Sequence, residues 1–186
     1  ASVGCALATS LEALLAFRIL WGFFGSSTAR FASFVKGPAA VARYLRAIWD
    51  DKRSIGHNPA GGWSVVALLG LLTAQASLGL FAGDPFDGAT GPLNALVGAE
   101  TAGRFTDWHE LLFNVILALV ALHVAAIAFY VMGLGDNLIG PMLSGRRPAA
   151  EVAGAMAPVP AWRALACAAA ASGFALWVYN GAPPLE

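Results

Sequence analysis

Two stretches of this chain carry no charge over a length that crosses a bilayer. They are Trp63 to Ala82 and Leu111 to Leu134. A spanning helix needs roughly 20 consecutive apolar residues, so each is long enough. Two further stretches qualify less cleanly. Val3 to Phe24 is interrupted by Glu12 and Arg18, and Ala164 to Tyr179 is short and Ala-rich. Gly, Pro or charged residues bound all four, and each is too apolar for a surface helix. Composition agrees: 58% of the residues are hydrophobic and 12% charged, about half the charged share of an ordinary soluble domain. The fold class expected is therefore all-α, an integral membrane helical bundle of about four transmembrane helices. Residues 1–148 are read as the transmembrane domain, and 149–186 as a linker plus a peripheral C-terminal helix.

Charge excludes some functions and orients the chain. Lys plus Arg number 11 and Asp plus Glu 11, so no basic excess points to nucleic acid. Cys5 and Cys167 lie in apolar segments and form no CxxC, which argues against a zinc site or a redox pair. There is no CxxCH for covalent haem attachment either. Basic residues mark cytoplasmic loops. Residues 25–62 hold Arg30, Lys36, Arg43, Arg46, Lys52 and Arg53, and residues 135–162 hold Arg146 and Arg147. Residues 83–110 hold Arg104 against Asp84, Asp87, Glu100, Asp107 and Glu110. The first and third connections are expected on the cytoplasmic side, and the second on the opposite, periplasmic side.

The segment "TDWHELLFNVILALVALHVAAIAFY" carries His109 and His123, fourteen residues apart. At 100° per residue that spacing is about 40° short of four turns, and the axial separation is roughly 21 Å. Both imidazoles fall near one face, with Leu112, Phe113, Ile116 and Val120 between them. Polar side chains inside a bilayer mark functional sites by default, and neutral imidazole is an axial ligand for haem iron. Two ligands so far apart cannot share one iron, but they can serve two haems, one near each surface. The plainer alternative is an interfacial polar residue at His109 and an interhelical hydrogen bond at His123.

Other polar residues are weighed the same way. His57 lies in "GHNPAGG", a turn before the second span. It is read as turn-stabilising, with a quinone or haem-edge contact as the alternative. Arg18 can snorkel to the surface or pair with a haem propionate. Glu12 stands in mid-segment with no cation at i+3 or i+4. Gln75, Thr73 and Ser77 suggest interhelical hydrogen bonds in the second span, and Gly70 and Gly79 a close approach by a helix or a macrocycle.

The run "FRILWGFFGSSTARFASFVKGP", "YLR", "GHNPAGGWSVVALL", "GLFAGD", "GPLNALVG", "WHELLFNVILALVALH" and "GLGDNLIGPMLSGRRP" resembles the bacterial cytochrome b561 family. That family includes the b-type cytochrome subunits of nickel hydrogenases, and the resemblance covers Val3 to about Pro148. It implies a four-helix core with two b haems held by bis-histidine ligation, His109 and His123 being one axial ligand of each. It further implies electron transfer between a quinone pool and a redox partner protein or another membrane subunit, in the bacterial inner membrane. Family members carry a further helix ahead of the first segment, and no His precedes His57 here. The opposite ligands are then expected from upstream residues or from another chain, or haem binding is altered. A haem-free membrane anchor or assembly subunit is the alternative function.

Overall fold

A computed structural model of the chain describes residues 8, 10–49, 58–83, 88, 90–140 and 159–183. Among these the regular elements are helices: α1 (Leu11–Phe24), α2 (Phe31–Phe34), α3 (Pro38–Arg46), α4 (Pro59–Phe81), α5 (Ala99–Met132) and α6 (Ala161–Tyr179), with a 3-10 turn at Asn94–Leu96. Helices α4, α5 and α6 are long and apolar enough to span a membrane. In hydrocarbon the backbone must satisfy its own hydrogen bonds, and a helix does this within one segment. The chain is an all-α membrane bundle.

Local chemistry sets the ends. Asn58 caps α4: its Oδ1 accepts from the Gly61 N–H at 2.6 Å, and Pro59 stands at the first helical position. Proline there loses nothing, since that N–H has no partner within the helix. Beyond α4, the Asn94 side chain donates to the Phe81 and Ala82 carbonyls at 3.1 and 3.2 Å. The Leu93 N–H donates to the Leu80 carbonyl at 2.9 Å. The connection thus caps the carbonyls the helix leaves open.

The first segment was expected to run from Val3. Residues 1–7 and 9 lie outside the described residues, and among the described ones a helix starts at Leu11. Ser10 is extended (φ −149°) and its side chain accepts from the Ala13 N–H. The fourteen residues of α1 rise only about 21 Å, short of a hydrocarbon core of about 30 Å. The third segment was expected to begin at Leu111, yet α5 starts at Ala99 and runs 34 residues. That is about 51 Å, well beyond the hydrocarbon thickness. Its first turns carry Glu100, Arg104 and Asp107, and Arg104 donates to Glu100 one turn away at 2.7 Å. Residues 99–110 of the expected loop 83–110 are therefore helix.

Packing is pairwise. Helices α4 and α5 run antiparallel: Ser64 meets His123, Gln75 meets His109, and Gly83 meets Thr106. Helices α1 and α6 form the other pair. Phe17, Trp21, Cys167 and Ala171 are all buried between them, and Phe17 stacks on Trp21 at 5.8 Å. Helix α6, expected as an added span, supplies half of this cluster. Its far end, Val178 and Ala182, packs on Leu93 beside the end of α4. Gly62 lets the α2 segment lie across the first turn of α4, because a Cβ there would stand 2.6 Å from the Phe34 carbonyl oxygen. The thiol of Cys167 is free and buried; Cys5 lies outside the described residues.

Phe17→Ala leaves a void at the largest fully buried side chain among the described residues. We expect it to destabilise the protein by about 3 kcal/mol, read as earlier thermal unfolding in detergent. Phe23→Ala, at a side chain 62% exposed, serves as the control and leaves the transition nearly in place.

Candidate functional site

Helix α5 presents a seam to α4 with a step of seven residues. Ala102, His109, Ile116, His123 and Tyr130 follow one another at that interval, and each is buried or half-buried. Seven residues fall about 20° short of two turns, so the series stays on one side of the helix. The two imidazoles are members of this seam, with buried Ile116 midway. Of the other residues placed between them from spacing, Leu112 is half-buried, but Phe113 and Val120 are exposed, at 57% and 40%. They sit to the outer side of the arc, and the apolar wall between the imidazoles is narrower than expected.

His109 is held by backbone. Its Nδ1 lies 3.0 Å from the Gln75 carbonyl oxygen. A carbonyl only accepts, so Nδ1 carries the proton and donates. The neutral ring then has its lone pair on Nε2. In an α-helix the same carbonyl serves the N–H of the residue four positions on, here Gly79. Its second lone pair takes the imidazole. A Cβ on Gly79 would stand 3.0 Å from His109 Cε1 and 3.3 Å from Nδ1, tighter than ordinary contact. Glycine at 79 admits the ring. The close approach expected at Gly79 is found, made by His109; Gly70 faces open space.

His123 is held by a side chain. Its Nδ1 lies 2.9 Å from Ser64 Oγ. A hydroxyl donates or accepts, so this contact is compatible with either tautomer. Ser64 and Gln75 are eleven residues apart, within about 20° of three full turns. One face of α4 therefore serves both rings. Two turns beyond His123, Tyr130 Oη meets Tyr44 Oη at 2.6 Å, and Trp49 stacks edge-on to Phe129 at 5.7 Å.

The remaining candidates fall as follows. His57 lies outside the described residues. Arg18 is half-buried on α1, and no ion pair joins it to another described residue. Glu12 is not in mid-helix: it stands in the first turn of α1 behind the Ser10 cap, where the helix dipole favours a carboxylate. Thr73 and Ser77 do not bond between helices. They donate within α4 to the Leu69 and Thr73 carbonyls at 2.7 and 2.8 Å, a usual outlet for a hydroxyl in a helix. Gln75 bonds across the interface through its backbone, while its buried Oε1 has no partner among the described residues. Trp21 Nε1 is in the same position. Ser64 and Tyr44 went unremarked in the sequence. The seven-residue step from His123 to Tyr130 was the one available signal for the tyrosine pair.

The donor set suits an axial ligand. A metal-bound imidazole ordinarily donates its other N–H to a carbonyl or similar group, which fixes the ring. His109 has that arrangement on Nδ1, and His123 has a hydroxyl in the same place. No cluster of three or more His, Cys, Asp or Glu occurs among the described residues; a haem site would need no such cluster, since the iron takes at most two axial ligands.

Comparison with known proteins gives one match. A family model described as prokaryotic cytochrome b561 matches residues 6–145. No curated protein and no solved structure matches the chain.

The seam predicts a spectroscopic difference between the rings. In the isolated chain with 15N-labelled histidine, His109 should show a protonated Nδ1 and a bare Nε2. Gly79→Val should shift the His109 resonances and leave those of His123 in place. A His109 spectrum unchanged by that substitution would contradict the close contact.

Proposed function

The chain belongs to the prokaryotic cytochrome b561 family, membrane b-type cytochromes of electron transfer, and from that premise we propose that it carries electrons between a quinone pool and a redox partner through haem b bound at His109 and His123. The observation that supports these residues most is the His109 Nδ1 bond to the Gln75 carbonyl oxygen at 3.0 Å. In the neutral ring it commits the proton to Nδ1 and leaves on Nε2 the lone pair a ferric or ferrous iron would take. Bound haem supplies reversible one-electron chemistry, and everything else falls to the polypeptide.

The residues divide that work. Gln75 and Ser64 fix the imidazole rings from α4. Gly79 makes room for His109, and Ile116 keeps the space between the rings apolar. The spacing of about 21 Å sets the two ligands toward opposite edges of a hydrocarbon core of about 30 Å. Two haems so placed would divide the insulating layer into shorter steps. Arg18, half-buried and without an ion pair among the described residues, is the cation we assign to a haem propionate. Residues 25–62 and 135–162 are placed on the cytoplasmic side of the inner membrane, and residues 83–110 on the other, by the distribution of Lys and Arg.

Histidine arithmetic adds a requirement. The sequence holds three histidines, whereas two bis-histidine haems take four imidazoles. With His57 read as a turn residue, the opposite ligand of each haem would come from outside these residues, whether from more of the same polypeptide or from a partner subunit. The same count favours the second reading, a haem-free anchor or assembly subunit in which both imidazoles only join α4 to α5.

The two readings separate on a spectrum. In the purified complex, His109→Ala and His123→Ala should each remove about half of the b-type α-band from the reduced-minus-oxidised difference. The double variant should remove the whole band. The anchor reading expects absorbance to be unchanged in all three.

A further inference from the structure

At the His123 end of the bundle a short amphipathic helix lies across two spans. The segment from Lys36 to Trp49, which contains α3, is tied down at three points. The Trp63 indole of α4 donates to the Lys36 carbonyl at 2.8 Å. Tyr44 meets Tyr130 of α5 at 2.6 Å, and Trp49 packs on Phe129. Ala40, Val41 and Tyr44 turn toward the bundle and are half-buried, while Arg43, Leu45 and Arg46 are exposed. Between Gly25 and Trp49 there are four cations, Arg30, Lys36, Arg43 and Arg46, and no carboxylate. All four cations are exposed. No ion pair joins any of them to a described residue, whereas Arg104 at the opposite end is paired with Glu100.

The height of this patch is set by the spans themselves. Trp63 stands in the first turns of α4 and Tyr130 in the last turn of α5, so α3 sits where the apolar helices leave the hydrocarbon. Beside the arginines, Leu45 and Trp49 are 52% and 69% exposed. Large apolar side chains left open to water there would be unfavourable, but at a bilayer surface they enter the headgroup–acyl boundary, and Trp is enriched at that depth. A guanidinium at that level, with no ion pair among the described residues, can meet the phosphodiester of a lipid and bind it through two parallel N–H donors. Clustered cations next to a span attract anionic lipid in particular, and the attraction is screened by salt.

We propose that the outward face of α3, with Arg43 and Arg46 at its centre and Lys36 and Arg30 flanking them, is a binding surface for the headgroups of anionic phospholipids. Leu45 and Trp49 insert beside those headgroups. The surface holds α3 in the plane of the membrane against the α4–α5 pair. It requires no haem and stands whether or not His109 and His123 are ligands.

The test uses the whole chain in vesicles of equal parts phosphatidylglycerol and phosphatidylcholine, with spin-labelled versions of each lipid as probes. The wild-type protein should immobilise phosphatidylglycerol in preference to phosphatidylcholine, and 1 M salt should weaken that preference. Arg43→Gln and Arg46→Gln should each lower the relative association constant at this site by about fivefold. The Lys substitutions should largely keep it, and Arg104→Gln should leave it unchanged. Both arginines are exposed, so the variants fold. A double Gln variant with the wild-type preference overturns the proposal and leaves these cations to an acidic protein surface. A preference insensitive to salt overturns it as well.

Discussion

Inside a bilayer a polar group has only protein to bond with, and this constraint orders the structure. The backbone meets it by forming helices. Most side chains meet it by being apolar, as the outer face of α5 shows with Leu111, Phe113, Leu117, Leu122 and Val124 all exposed. The few polar side chains have narrower choices. Thr73 and Ser77 turn back on their own helix. His109 and His123 reach across to α4. The imidazoles are therefore ordered features of the seam, because each has an Nδ1 partner that fixes its ring.

The seam treats its two imidazoles differently. His109 is bonded to a backbone carbonyl, which cannot change its role, and a side chain at 79 would press on the ring. His123 is bonded to a serine hydroxyl, which can rotate and either donate or accept. Interactions of this outer kind tune a bound metal through the basicity of the ligand. The two ends of the helix thus offer two environments, one invariant and one adaptable, within a single apolar interface.

Much of this was legible in the sequence, for reasons of periodicity. Uncharged runs located α4 and α5, and the helical repeat placed His109 and His123 on one face. The flanking motifs carried the family. The helix starts were harder to see. The start of α1 at Leu11 depends on one hydroxyl, Ser10, which an apolar count does not register. The polar turns before Leu111 read as loop, since a helix that leaves the membrane loses its hydropathy signal at Glu110 while its backbone continues to Ala99. Least legible were the partners of the histidines. The acceptor for His109 is a main-chain carbonyl, which every residue has, so the informative residue was a glycine one turn away. Phe113 and Val120 were drawn into the site because an arc guessed from two points is wider than the contact it describes.

We propose that His109 and His123 are axial ligands of two different haems. Pulsed EPR of the oxidised complex, with 15N-labelled histidine in this chain, tests that assignment. A strongly coupled 15N is expected at each of two low-spin ferric centres. His109→Ala should abolish the coupling at one centre and His123→Ala at the other. Ferric centres whose 15N couplings survive both substitutions, or a complex with no ferric haem signal, would contradict it.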